Sequence, residues 1–142
     1  MLVREIMSND IVSLHSEDSC EKAAQLMKQH DIGSIPVCSG DHVVGIVTDR
    51  DITLRCVATG QSCQQQKVGD IMTSNPVLGS PDMDVHEAAR LMSQNQIRRL
   101  PIVQENSLIG MLALGDISVE PSQQGSAGQA LTNISQENGL QS

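Results

Sequence analysis

The chain has 142 residues, 39% of them hydrophobic, and carries 17 acidic against 9 basic side chains for a formal net charge of −8. That length suits one ordinary domain or two small repeats sharing a core, since such a body buries roughly two-thirds of its unfolded surface without staples. The acidic surplus and the absence of Phe, Tyr and Trp argue against a nucleic-acid partner, which needs massed Lys and Arg or aromatic stacking platforms.

In chain order, Met1–Ile6 contains no signal-peptide run and no apolar stretch approaches the length of a membrane span. A cytoplasmic protein with no membrane association is expected. Ile11–Leu14 reads as a short strand. Ser19 is placed as an N-cap, and the helix after it carries Ala23, Leu26, Met27 and His30 at helical spacing. Ile35-Pro36-Val37 reads as a second strand, Ser39–His42 as a turn and Val43–Val47 as a third strand. A second helix opens at Asp51 and ends near Gly60. The same grammar then returns. Val77–Leu78 is a strand, and Asp84 caps a helix with Glu87 at the capping-box spacing. That helix bears Val85, Ala88, Ala89, Leu91 and Met92. Strands follow at Leu100–Val103 and Leu108–Leu112, and a helix opens at Asp116.

The recurrence is a true internal repeat. Laying Val3 over Val68 aligns Val3–Ile52 with Val68–Ile117 without a gap, pairing Ile6 with Ile71, Met7 with Met72, Ala23-Ala24 with Ala88-Ala89 and Leu26-Met27 with Leu91-Met92. Pro36 falls on Pro101, Gly45 on Gly110 and Asp51 on Asp116. The expected architecture is α+β: two tandem β-α-β-β-α repeats, residues 1–60 and 68–120, joined by a linker at 61–67 and packed sheet to sheet with pseudo-two-fold symmetry. After Pro121 the composition turns to Gln, Ser, Gly and Asn, and 121–142 reads as a flexible tail.

Ile6-Met7, the Ala-Ala-x-Leu-Met helix, the Ile35-Pro36-Val37 and Leu100-Pro101-Ile102 strands, and Gly45-Ile46-Val47-Thr48-Asp49-Arg50-Asp51-Ile52 together resemble a CBS domain. Two in tandem resemble a Bateman module, most nearly the small stand-alone bacterial type. The resemblance covers residues 3–118. It implies clefts that take adenine nucleotides such as AMP, ADP or ATP as regulatory ligands, with no required cofactor and no catalysis, and a homodimer of disc-like form. The resemblance also implies a regulated protein partner. The family's ligand signature is a glycine, then a Thr or Ser, then an Asp at three-residue steps. Gly45, Thr48 and Asp51 match it; in the second repeat Gly110 and Asp116 match but Ala113 replaces the hydroxyl.

The chemistry fits those residue types. A carboxylate accepts hydrogen bonds from two neighbouring ribose hydroxyls, a threonine hydroxyl at a helix start joins backbone N–H groups around a phosphate, and arginine supplies a forked phosphate contact. Arg50, Arg98 and Arg99 are the candidate phosphate arginines. Ile11, Val12, Ile35, Pro36 and Ile46, with Val77, Leu100 and Pro101 in the second repeat, are the candidate apolar walls. Asp51 and Asp116 are equally suited to capping the helices they open, and the two roles are compatible. Enzyme motifs are missing: there is no GxGxxG, HExxH or GxSxG, and Ile46-Val47 follows Gly40 and Gly45 where a Walker loop requires Lys and Ser or Thr.

Two other readings compete. Cys38, Cys56 and Cys63 suit a redox or metal sensor on the same fold, although no CxxC pair occurs and Cys38 with His42 is a weak metal signal. The residue-level alternative is buried small hydrophobes plus one exposed loop thiol. Ala113 also leaves room for a structural interaction module that has lost its ligand.

Overall fold

The computed structural model describes residues 1–118 and 124–141. Its elements are a 3₁₀ turn at Val3–Glu5, strand β1 (Leu14–His15), helix α1 (Cys20–His30), β2 (Ser34–Ser39), β3 (His42–Thr48) and α2 (Asp49–Ile52), which runs on as a π-helical turn at Thr53–Val57. Then come α3 (Val68–Ile71), β4 (Thr73–Ser74), α4 (Val85–Asn95), β5 (Arg99–Gln104), β6 (Ser107–Ala113), α5 (Leu114–Ser118) and α6 (Gln124–Gln141). The class is α+β and the two tandem repeats are plain. Among the described residues, no helix is long and apolar enough to cross a membrane.

Local chemistry sets the matching pieces. The Ser19 hydroxyl accepts the Lys22 N–H at the start of α1, and the Asp84 carboxylate accepts the His86 N–H at the start of α4. Both caps stand where the sequence places them, although Asp84 bonds His86 rather than Glu87. Each helix ends on a left-handed residue, Asp31 or Gln96. α1 buries Cys20, Ala23 and Met27, and α4 buries Val85, Ala88, Ala89 and Met92, the spacing of one apolar helical stripe. His30, expected on that stripe, is instead exposed in the last turn of α1. β2 pairs antiparallel with β3, and β5 with β6. The register slips at Val37/Cys38 and at the equivalent Ile102/Val103, so even the bulge is duplicated.

The compact units do not coincide with the repeats. One unit is Val12–Pro76; the other joins Met1–Ile11 to the chain from Val77 onward. Each therefore holds the body of one repeat and the leading segment of the other. In the second-repeat unit the Val3 N–H donates to the Met83 carbonyl, the Arg4 N–H to Pro81 and the Ser8 N–H to Met111. In the first-repeat unit the Val68 N–H donates to Asp18 and the Gly69 N–H to Ser16, while β4 pairs with β3 through Thr73 and Ile46. These bonds correspond one for one under the repeat alignment. Val3 and Val68 are both fully buried by them, Val3 among the core side chains Val85, Leu100, Ile102, Leu112 and Ile117, and Val68 among Leu14, Ile35, Val37, Val47 and Ile52.

The flexible-tail expectation for 121–142 needs correction, although 121–123 and 142 lie outside the described residues. α6 is helical and packs against α4 and α5. Ala127, Ala130 and Ile134 are buried in the core of the second-repeat unit, and the Asn133 side-chain amide donates to the Ser93 hydroxyl. The apolar stripe is short and made largely of alanines, so composition hid it, but the spacing of Ala127, Ala130 and Ile134 is helical. Ile134→Ala is therefore expected to lower the unfolding free energy by about 2–5 kcal/mol in urea denaturation. A change within about 0.5 kcal/mol, ordinary for a surface site, would refute the packing of α6.

Candidate functional site

The end of β3 and the start of α2 form a reciprocal cap. The Thr48 hydroxyl accepts the Asp51 N–H at 3.0 Å, and Asp51 Oδ2 accepts the Thr48 N–H at 3.0 Å. This is the capping-box arrangement with Asp in the returning position. Two further groups converge on the same carboxylate. The Thr73 hydroxyl of β4 donates to Oδ2 at 3.4 Å, and Arg55 Nε lies 3.9 Å from Oδ1. Among the described residues Asp51 is the one polar or charged residue in the buried core, at 8% exposure, and it survives burial because each of its oxygens has a partner. A carboxylate offers roughly four lone-pair positions, so accepting capacity remains on Oδ1. The Thr48 hydroxyl spends a lone pair on the cap and keeps its proton to donate.

Sequence reasoning missed Thr73 and Arg55. Arg55 also donates to the carbonyls of Ile71 and Met72, at 3.1 and 3.4 Å, tying the π-helical turn to the leading segment of the other repeat. Its signal was its position one helical turn beyond Asp51. Thr73 carried only its match to Ser8.

In the second-repeat unit the cap is halved. Asp116 Oδ2 accepts the Ala113 N–H at 2.9 Å, but Ala113 has no hydroxyl to return a bond to the Asp116 N–H. An open cavity of about 490 Å³ lies beside this turn, lined by Arg98, Arg99, Ala113, Leu114, Gly115 and Ser118 and, from α6, by Ala127, Gly128 and Leu131. Arg99 Nε is buried there with no hydrogen-bond partner among the described residues, a costly state for a charged donor. Asp116 is half-buried and does not line the cavity. The α6 residues of this lining fell inside the segment read as a tail.

The remaining candidates divide between the units. Val12, Ile35, Pro36, Ile46, Thr48, Arg50 and Asp51 belong to the first-repeat unit, and Val77, Arg98, Arg99, Leu100, Pro101 and Asp116 to the second. Ile11 falls in the second-repeat unit, with the segment ahead of its own repeat. Ile35 and Leu100 are fully buried core residues, and Pro36 and Pro101 are buried beside them. Val12, Ile46 and Val77 are half-buried, and Ile11 is exposed. Arg50 is exposed on the first turn of α2. Of the cysteines, Cys56 and Cys63 meet, whereas Cys38 stands apart on β2. Among the described residues no group of three or more His, Cys, Asp or Glu side chains is placed to hold a metal.

Loss of the cap is measurable apart from any ligand. Thr48→Ala is expected to cost about 1 kcal/mol in chemical denaturation and Thr48→Ser much less, because the serine hydroxyl accepts the same bond. Equal stability of the alanine variant and the parent would remove the cap from the account.

Residues 3–57 and 68–120 match the family model of the CBS domain. CBS domain-containing protein YhcV of Bacillus subtilis is 44% identical over 136 residues, 96% of this chain and 96% of its own. Hypoxic response protein 1 of Mycobacterium tuberculosis is 29% identical over 81% of each chain. Its crystal structure, with two coordinated zinc ions, resembles this fold with a TM-score of 0.78 at 28% identity, covering 84% of this chain and 98% of that one. The CBS domain pair of protein MJ0100, in complex with 5′-methylthioadenosine and S-adenosyl-L-methionine, gives a TM-score of 0.73 at 29% identity over 83% of this chain and 93% of its own.

Proposed function

Because the chain belongs to the CBS domain family and carries two such domains in tandem, we propose that it is a regulatory module, not an enzyme, that binds adenine nucleotides of the AMP, ADP or ATP class. The observation that carries this reading is the Thr48–Asp51 turn, where a buried carboxylate with a spare acceptor adjoins a hydroxyl with a spare proton. The adenosine-containing ligands of the MJ0100 pair support the same class. In this reading Asp51 accepts from the ribose hydroxyls, Thr48 and the first N–H groups of α2 hold phosphate, and Arg50 adds charge. Val12 and Ile46 flank the base, with Ile35 and Pro36 as the rigid floor behind them. The second site uses Asp116, Arg98 and Arg99 with Val77, Leu100 and Pro101, and is the weaker for want of a hydroxyl at Ala113.

Ligand binding shifts a conformational equilibrium by its differential affinity for two states, and the two states differ in affinity for a regulated partner. The working form is a cytoplasmic homodimer. Light scattering is expected to return twice the chain mass, as closed two-fold assemblies do; a strictly monomeric mass at tens of micromolar is the contrary result.

Calorimetry with AMP and with unphosphorylated adenosine separates the roles. A hydrogen bond to a charged group is worth roughly 1.5–3 kcal/mol, and each factor of ten about 1.4 kcal/mol. Thr48→Ala is therefore expected to weaken AMP about ten-fold or more while leaving adenosine nearly unchanged. Asp51→Ala is expected to abolish tight binding of both, and Asp116→Ala to touch only a weaker site. Parent-like affinity in a folded Asp51→Ala protein, with loss in Asp116→Ala, would assign the principal site to the second repeat.

A further inference from the structure

All four cysteines lie in the first-repeat unit, and none has a part in nucleotide binding as read above. Cys56 Sγ and Cys63 Sγ are 3.3 Å apart. Cys56 sits on the π-helical turn after α2 and is fully buried. The chain then doubles back: the Gln61 N–H donates to the Cys56 carbonyl, returning the next residues over the turn. Cys63 is half-buried in that returning segment, and its carbonyl accepts the Glu21 N–H at the start of α1. Both sulfurs are thus held by backbone bonds on either side, and one of the two has access to solvent.

We propose that Cys56 and Cys63 are a redox modification site that closes to a reversible intrachain disulfide, with Cys63 the entry thiol and Cys56 the resolving thiol. A disulfide needs its sulfurs roughly 2.05 Å apart, and rotation about the side-chain bonds of a pair already in contact supplies that approach. The oxidant is a low-molecular-weight disulfide. Cys63 gives up its proton and its thiolate attacks one oxidant sulfur, breaking that S–S bond and expelling one thiolate. The Cys56 sulfur then attacks the Cys63 sulfur and expels the second thiolate, which leaves with the Cys56 proton. Two protein thiols lose two protons and two electrons, and the oxidant leaves as two thiols. A dithiol reductant runs the exchange backward.

The surroundings select this pair. Cys20 is fully buried at the start of α1, and burial first, then the neighbouring Cys56, push its thiol up to about 12, so it stays protonated. Cys38 is buried on β2, outside the cluster. The Cys63 thiol is also raised, first by its hydrogen bond to Cys56 and then by burial. Cys56 adjoins Arg55, the residue that meets Asp51 and the Ile71 and Met72 carbonyls, so the linkage would close on the turn that carries Arg55.

The reduced full chain is treated with oxidised glutathione at mildly alkaline pH, denatured and titrated for thiols. The four free thiols are expected to fall by two, unreduced peptide mapping to join Cys56 to Cys63, and dithiothreitol to restore all four. Cys38→Ser should form the same link, Cys63→Ser none, and Cys56→Ser should keep a glutathione adduct on Cys63. Because the mapping is done on the parent chain, the proposal does not depend on any variant folding. Retention of all four thiols, a link from Cys56 to Cys20 or Cys38, or only links between chains would overturn it. Nucleotide affinity has no part in this readout, so its outcome is separate from that of the binding reading.

Discussion

The fold depends on two glycines at which strands admit no side chain. A Cβ on Gly45 would collide with the Met72 sulfur and stand 2.9 Å from Met72 Cγ and from the Thr73 carbonyl oxygen. One on Gly110 would stand 2.8 Å from the Met7 sulfur and 2.9 Å from the Ser8 carbonyl oxygen. Real side chains do not tolerate such approaches, and a packed interior has little slack to absorb them. Each glycine therefore opens the middle of a strand to the segment that leads into the other repeat. Those leading segments complete both cores, which is why each compact unit is stitched from two stretches of chain.

The same constraint bears on the candidate site. Because β4 lies against β3 at Gly45 and Ile46, Thr73 reaches the Asp51 carboxylate and Arg55 reaches the carbonyls of Ile71 and Met72. The glycine that heads the Gly45, Thr48, Asp51 motif thus has a packing role before any ligand is considered. Capping and packing hold the carboxylate in place. A residue only 8% exposed, with fixed partners, is preorganised, and a ligand that uses its remaining acceptor need not order it.

The two repeats share this scaffold and differ in small, consequential ways. Ala113 removes one bond from the second cap, and α6 adds a packed helix beside the second repeat with no counterpart in the first. The cavity lined by Arg98 and Arg99 is bounded partly by α6, so the second repeat presents its arginines in surroundings the first does not reproduce. The cysteine pair belongs to the first repeat alone: Cys56 and Cys63 have no cysteine equivalents in the second.

The sequence alone determined the duplicated grammar. The α1 and α4 stripes, the Ser19 and Asp84 caps and the paired hairpins rest on contacts between near neighbours, and periodicity and cap chemistry report such contacts directly. The motif at Gly45, Thr48 and Asp51, and the missing hydroxyl at Ala113, were legible through the resemblance to the CBS family's ligand signature. Only the tertiary structure decided which leading segment completes which core, because similar repeats offer similar docking partners and the pattern cannot say whether Val3 packs on its own repeat or the other. It also decided the role of α6, whose buried stripe is mostly alanine and adds too little hydrophobicity to stand out from a polar segment. Finally it decided that Thr73 reaches Asp51 and that Cys56 meets Cys63, since these contacts are made across turns and between separate segments, where spacing along the chain carries no distance.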